Sequence, residues 1–140
     1  MIKIVIADDH ELIRLGLRRL LTDVQDVQIV GEASSGKELL ALLSGNKQEV
    51  DIVLLDIRMP DVDGFEFMES LKGMTHDFSI IVLSTFSDRH YIKRAFLNGA
   101  SGYLPKEAPP EELMHAINVV NSGGQYLSPL LSSNLVDILK

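Results

Sequence analysis

Short apolar runs recur along this sequence, and several of them close on residues that can carry chemistry. Ile2–Ala7 runs into Asp8-Asp9, Asp51–Leu55 into Asp56, and Ser79–Leu83 into Ser84. Val27–Ala33 and the brief Gly102–Leu104 read as two further strands, the latter followed by Lys106. Segments with helical spacing lie between them. Leu12–Leu21 carries a stripe of Ile13, Leu17, Leu20 and Val24. Lys37–Leu43 follows Ser34 and Ser35, either of which suits an N-cap. Gly64–Leu71, Asp88–Leu97 with Asp88 as N-cap, and Pro109–Val120 with proline in its first turn complete the set. Gly123-Gly124 ends the last helix. Five strands therefore alternate with five helices. The strands are continuously apolar, so both sheet faces must be covered. Strand-helix alternation with two covered faces favours a parallel sheet wrapped by helices.

Composition limits what such a fold can do. At 140 residues the chain fits one domain. Its 46% apolar and 24% charged content is that of a globular protein. No cysteine is present, so a disulfide framework and a thiolate metal site are excluded, and any metal must be held by oxygen or imidazole. The net charge of −7 disfavours nucleic-acid binding by this chain itself. No apolar run is long enough for a membrane span. Met1 leads straight into a strand rather than a signal peptide, so the cytoplasm is the expected location.

In an open parallel sheet, ligands bind beyond the carboxyl ends of the strands at the switch point of the strand order. In the flavodoxin-like order 2-1-3-4-5, strands one and three flank that point, and Asp8, Asp9 and Asp56 converge there. Carboxylates that close repel one another unless a cation sits among them. Mg²⁺ suits such an oxygen set. A carboxylate beside it can attack phosphorus and form an acyl phosphate. Lys106 supplies further positive charge, and the Ser84 hydroxyl can bond a phosphoryl oxygen. Singly, each residue has a plainer account: a turn aspartate, a helix cap, a satisfied hydroxyl, a solvated lysine. Their joint placement after strands one, three, four and five makes coincidence a poor explanation.

These residues resemble the receiver domain of bacterial two-component response regulators over about residues 1–122. The motifs are Asp8-Asp9, Asp56-Ile57-Arg58-Met59-Pro60 followed by Asp63-Gly64, Ser84, and Tyr103 with Lys106. IADDHELIR, VGEASSG, ASGYLPKE and GGQYLSP are more narrowly similar to the NarL/FixJ class, the LuxR-type transcriptional regulators. The resemblance implies that Asp56 accepts a phosphoryl group from a sensor histidine kinase. It implies Mg²⁺, replaceable by Mn²⁺, on Asp9, Asp56 and the Arg58 main-chain carbonyl, with Asp8 acting through water. Lys106 would pair with the phosphoryl group, Ser84 would move towards it, and Tyr103 would turn inward behind it. Arg58 and Phe86 occupy positions that tune phosphoryl lifetime in receivers, and are expected to restrict the attacking water. One departure stands out: the order Pro105-Lys106-Glu107 lacks the proline that follows this lysine in most receivers. His10 adjoins the acidic pair and is expected to touch the site without ligating, because Mg²⁺ prefers oxygen.

The output is expected to be a conformational change that controls dimerisation, with Leu15 and Leu97 as candidate interface residues. Residues 123–140 lie outside the five-unit pattern and read as a linker helix, with Leu131, Leu135 and Ile138 on a stripe seeking a partner. In the NarL/FixJ class such a segment leads into a helix-turn-helix domain, through which alone DNA would be bound. The expected activity is confined to phosphorylation and self-dephosphorylation at Asp56, without turnover of external substrates. Three other readings compete. A stand-alone receiver would act on a protein partner. A Mg²⁺-dependent phosphohydrolase with an aspartyl-phosphate intermediate would place both acids on one strand and add a cap domain, and neither feature fits. A pseudo-receiver would lack the acceptor aspartate or the lysine, and both are present.

Overall fold

The apolar runs form the strands they predict. A computed structural model of the chain describes residues 1–45, 49–86 and 88–131. In order, the elements are β1 (Ile2–Ala7), α1 (Glu11–Thr22), β2 (Val27–Ala33), α2 (Gly36–Gly45), β3 (Ile52–Leu55) and α3 (Gly64–Ser70). Next come β4 (Ser79–Ser84), α4 (Arg89–Leu97), β5 (Gly102–Pro105), α5 (Pro110–Asn121) and β6 (Tyr126–Leu127). A single 3₁₀ turn, Pro129–Leu131, follows. No helix among the described residues is long and apolar enough to cross a membrane.

Alternation within each strand divides the core in two. Val5, Ala7, Val53, Leu55, Ile80, Val82 and Tyr103 face one layer, where they meet Leu39 of α2, Phe65 and Met68 of α3, and Ile92 and Ala95 of α4. Ile4, Ile6, Ile52, Leu54, Ile81, Leu83 and Leu104 face the other, against Leu21 of α1 and Leu113, Ala116, Ile117 and Val120 of α5. Burying one such aliphatic side chain is worth about 1.5–3 kcal/mol, so the two-sided strands, more than helix propensity, hold the molecule together.

The helix starts follow local chemistry. Ser35, not Ser34, caps α2, its Oγ accepting from the Glu38 N–H at 3.0 Å. Asp63 and Glu66 form a reciprocal capping box at α3, and Asp88 caps α4.

The sheet is parallel with strand order β2-β1-β3-β4-β5-β6, so the expected five strands become six. β6 has two residues, too few to show as an apolar run. Its register on β5 pairs Gly102 with Tyr126 and Tyr103 with Leu127. The Glu112 carboxylate secures it, accepting from Tyr126 Oη at 2.9 Å and from Ser128 Oγ at 2.9 Å. The expected free linker is also corrected at its start: Leu131 packs into the core at 4% exposure instead of standing on an open stripe. Leu135, Ile138 and the remainder of the expected linker helix lie outside the described residues.

Strand register sets up the site. Ala7 pairs with Leu55, Leu55 with Val82, and Ser84 with Pro105. The carboxyl ends of β1, β3, β4 and β5 thus finish nearly level, and Asp8, Asp56, Ser84 and Lys106 sit at that edge. Close backbone approach shapes the loop between β3 and α3. A Cβ at Gly36 would lie 2.0 Å from the Val62 carbonyl oxygen, and one at Gly64 would lie 2.7 Å from that of Asp56.

Two glycine substitutions test this packing in opposite directions. Gly36→Ala is expected to destabilise by roughly 1–3 kcal/mol, because the obstructing atom is backbone. Gly16→Ala, in mid-α1 with nothing within 4 Å of the added carbon, is expected to stabilise by about 0.5–1 kcal/mol. Urea midpoints with an unchanged slope give both values. A Gly36→Ala protein as stable as the parent would refute the close approach.

Candidate functional site

Two buried carboxylates and one ammonium make the centre. The Asp8 N–H donates to the Ala33 carbonyl at 3.0 Å, and the Asp56 N–H to the Ala7 carbonyl at 2.9 Å. Each acid is therefore held by the strand beside its own. Asp56 is 4% exposed and Asp8 is equally buried, while Asp9 is exposed. Lys106 reaches between them, with Nζ 2.9 Å from Asp8 Oδ2 and 3.2 Å from Asp56 Oδ2. Burial alone disfavours the ammonium, but its contacts with Asp8 and Asp56 outweigh that and hold its pKa above the usual lysine value. Burial, followed by the Asp8 charge, pushes Asp56 up to about 6, although Lys106 and the Arg58 backbone N–H pull the other way. Lys106 neutralises Asp56 Oδ2 as an ion pair, yet that oxygen accepts no well-aligned hydrogen bond. It is a buried acceptor with spare capacity.

Ser84 and Tyr103 stand behind this centre. Both are buried, and Ser84 Oγ accepts from the Phe86 N–H at 2.9 Å. The Tyr103 hydroxyl donates to the Phe86 carbonyl and lies within hydrogen-bond reach of Ser84. Burial pushes the Tyr103 phenol up to about 12. The Phe86 backbone is thus held at both its N–H and its carbonyl. Its ring stacks on Tyr91 at 4.6 Å between centroids, and the Arg58 guanidinium lies 5.6 Å above it. Tyr91 stacks in turn on Phe65, which carries the Arg94 guanidinium at 4.1 Å. These side chains line an open cleft of about 740 Å³ that reaches Asp9. The loop after β5 needs no unusual backbone: among the described residues no peptide bond is cis, and the Lys106 N–H donates to the Ser84 carbonyl at 3.0 Å.

One oxygen each from Asp8, Asp9 and Asp56, together with a ring nitrogen of His10, lie within 4.8 Å of one another. This donor set, with Asp56 Oδ2 accepting no well-aligned hydrogen bond, fits a divalent cation. The structure therefore brings together Asp8, Asp9, Asp56, Lys106 and Ser84, with Tyr103, Phe86 and Arg58 adjoining. It also draws His10 into the group, in contact with both Asp8 and Asp9. Reading the sequence missed the Phe65–Tyr91–Arg94 wall, whose residues come from two helices with no shared local pattern. Arg14 was missed too; its Nη1 donates to the Asp8 carbonyl at 2.6 Å. The candidate interface residues lie apart from the centre. Leu97 is 72% exposed on α4. Leu15 is only half-buried, and the freely exposed leucine of α1 is Leu12.

Comparison with known proteins agrees with this geometry. Residues 4–118 match the family model "Response regulator receiver domain". The chain is 38% identical over 128 residues to the response regulator UvrY of Escherichia coli O6:H1, covering 91% of this chain and 58% of that protein. It is 35% identical over 135 residues to the response regulator GacA of Pseudomonas aeruginosa, covering 96% of this chain and 62% of that one. The chain thus spans less than two thirds of the length of these relatives. A LuxR-family two-component response regulator from Aurantimonas sp. SI85-9A1 superposes with a TM-score of 0.87 at 28% identity, covering 96% of this chain and 95% of that one.

The raised Asp56 pKa has a consequence for the metal-free protein. The folded chain holds this proton more tightly than the unfolded chain. The stability Asp56 contributes is full below pH 3.8 and is lost as pH rises through about 6. Asp56→Asn removes that loss. Between pH 5 and 7.5 the wild type is expected to lose on the order of 1 kcal/mol relative to the variant. Chemical denaturation in chelator at both pH values measures the difference, and identical pH slopes would contradict it.

Proposed function

The chain belongs to the response regulator receiver domain family, and on that premise we propose that it is a phosphorylation-dependent switch with Asp56 as acceptor. The observation that carries this reading is Asp56 itself: buried, 3.2 Å from a lysine ammonium, with Oδ2 accepting no well-aligned hydrogen bond. A sensor histidine kinase is the proposed donor. An Asp56 carboxylate oxygen attacks phosphorus, an O–P bond forms, and the P–N bond to the donor histidine breaks. Asp9, Asp56 and the Arg58 main-chain carbonyl would hold Mg²⁺ or Mn²⁺ directly, and Asp8 through water. When bound, the cation neutralises the charge gathered on the phosphoryl oxygens. Lys106 shares that task, because its ammonium already faces Asp56.

The response follows from what Ser84 and Tyr103 touch. The new group brings about two negative charges and strong acceptor oxygens. Ser84 can donate its hydroxyl hydrogen to one of them while still accepting from Phe86. That donation competes with its contact to Tyr103, which grips the Phe86 carbonyl. Phosphorylation thereby resets the loop that leads into α4. Phe86 and Arg58 stand over the cleft and limit the approach of the water that would hydrolyse the acyl phosphate.

Residues 1–122 are the proposed receiver unit, and 123–140 the segment that leads towards a helix-turn-helix DNA-binding domain, as the greater length of the relatives allows. Phosphorylation would then govern dimerisation and transcription, acting in the cytoplasm on a kinase and on DNA through that second domain. Activity at Asp56 is one turnover of the protein on itself rather than catalysis on external substrates.

Incubation with Mg²⁺ and acetyl phosphate is expected to add one phosphoryl group by intact mass, and Asp56→Asn to add none. Failure of the wild type to gain mass with any phosphodonor would end this reading. Phe86→Ala is expected to shorten the phosphoryl half-life by a factor of roughly three to ten, about 0.6–1.4 kcal/mol of barrier. An unchanged decay rate would remove Phe86 from the role of water barrier.

A further inference from the structure

His10 follows the acidic pair and takes the N-cap position of α1, yet its side chain caps nothing. The ring turns back to the carboxylates instead. Nδ1 lies 3.2 Å from Asp8 Oδ1 and 3.1 Å from Asp9 Oδ1. The residue's own N–H donates to Asp8 Oδ1 at 2.8 Å, which fixes the backbone under the ring. Two further observations point to a ligand at this spot. Among the described residues, Asp56 Oδ2, more than nine-tenths buried, accepts no well-aligned hydrogen bond and meets only the Lys106 ammonium, and its carboxylate belongs to the same cluster within 4.8 Å. One separation also has the right size. Adjacent ligands of an octahedral cation with bonds of about 2.1 Å stand about 3.0 Å apart. The 3.1 Å from His10 Nδ1 to Asp9 Oδ1, the direct ligand of the two aspartates, matches that edge.

We propose that His10 Nδ1 is a nitrogen ligand that turns the acidic pocket into a site for borderline first-row divalent cations, such as Co²⁺, Ni²⁺ and Zn²⁺. An oxygen-only pocket suits Mg²⁺, whereas imidazole adds affinity for these softer ions. The ring is 64% exposed, so Nε2 can carry its proton in water while the Nδ1 lone pair faces the pocket. The inference rests on reading the acidic cluster as a cation site, and it adds the identity of one ligand and of the preferred metals.

The same 3.1–3.2 Å separations also suit hydrogen bonds from Nδ1–H to the two aspartates. Pulsed electron paramagnetic resonance of bound Mn²⁺ distinguishes the two, because a directly bonded imidazole imprints nitrogen modulation on the signal. The expected result is strong nitrogen modulation in the wild type that disappears in both His10→Ala and His10→Gln. In parallel titrations at pH 7.5, His10→Ala should weaken Ni²⁺ binding about tenfold or more, a scale at which even outer-shell partners of metal ligands act. Mg²⁺ affinity should change less than about twofold. Saturable Mn²⁺ and Mg²⁺ binding without nitrogen modulation, or with modulation that survives in both variants, would overturn the role of His10 and leave the cation site standing. Absence of saturable binding by either ion would overturn the cation site and this inference together.

Discussion

Lys106 stands between Asp8 and Asp56, and much of the molecule is arranged around that contact. Two buried carboxylates within reach of each other repel, and one buried alone is costly. Burial first, and then the Asp8 charge, raises the Asp56 pKa, and a single ammonium does not fully offset them. The excess negative charge is an unfilled demand for positive charge. In the proposed switch a cation would answer it from the Asp9 side, and a phosphoryl group would meet the ammonium. Such a cluster weakens the folded state when nothing is bound, so its presence calls for a functional reason more than a structural one.

The sheet makes that cluster reachable without straining the backbone. Alternation sends the apolar side chains of β1, β3, β4 and β5 into two separate layers, so past Lys3 and Ser79 at their starts these strands carry no charged residue until they end. The level carboxyl edge then gathers an acid, an acid, a hydroxyl and a lysine from four different strands. Three of them are anchored by the chain beside them: Asp8 on Ala33, Asp56 on Ala7, and Lys106 on the Ser84 carbonyl. Precision comes from the ladder, and the loops contribute access.

How much of this was legible in the sequence depended on how local the cause was. The strand runs and the chemistry at their ends could be read directly, because both are set by contiguous residues. The caps of α2 and α4 were legible for the same reason, as was the α/β class. β6 was not, since two residues carry no period and its support comes from Glu112 in the preceding helix. Leu131 was misplaced because its spacing suits a free amphipathic helix equally well, and only the pocket beside Tyr103 decides otherwise. The Phe65–Tyr91–Phe86 stack joins α3, α4 and the loop after β4, so no window of sequence contains it. His10 was legible as a neighbour of the acidic pair, and the turn after β1 brings its ring against both aspartates.

β6 changes what a movement of Tyr103 can reach. The side chain of Tyr103 grips the Phe86 carbonyl on the site side, while its main-chain carbonyl accepts from the Ser128 N–H at 3.1 Å. Ser128 in turn leans on Glu112 of α5, and Leu131 fills the same core layer as Tyr103. A five-stranded sheet would leave β5 as an open edge, free to pair with another chain. Here that edge is covered by the very segment that leads towards the C-terminus. Site, reporter and C-terminal segment therefore meet on one strand of four residues. A rearrangement at Ser84 and Phe86 has a short, packed route to residues 128–131, which passes through the side chain and the main chain of Tyr103.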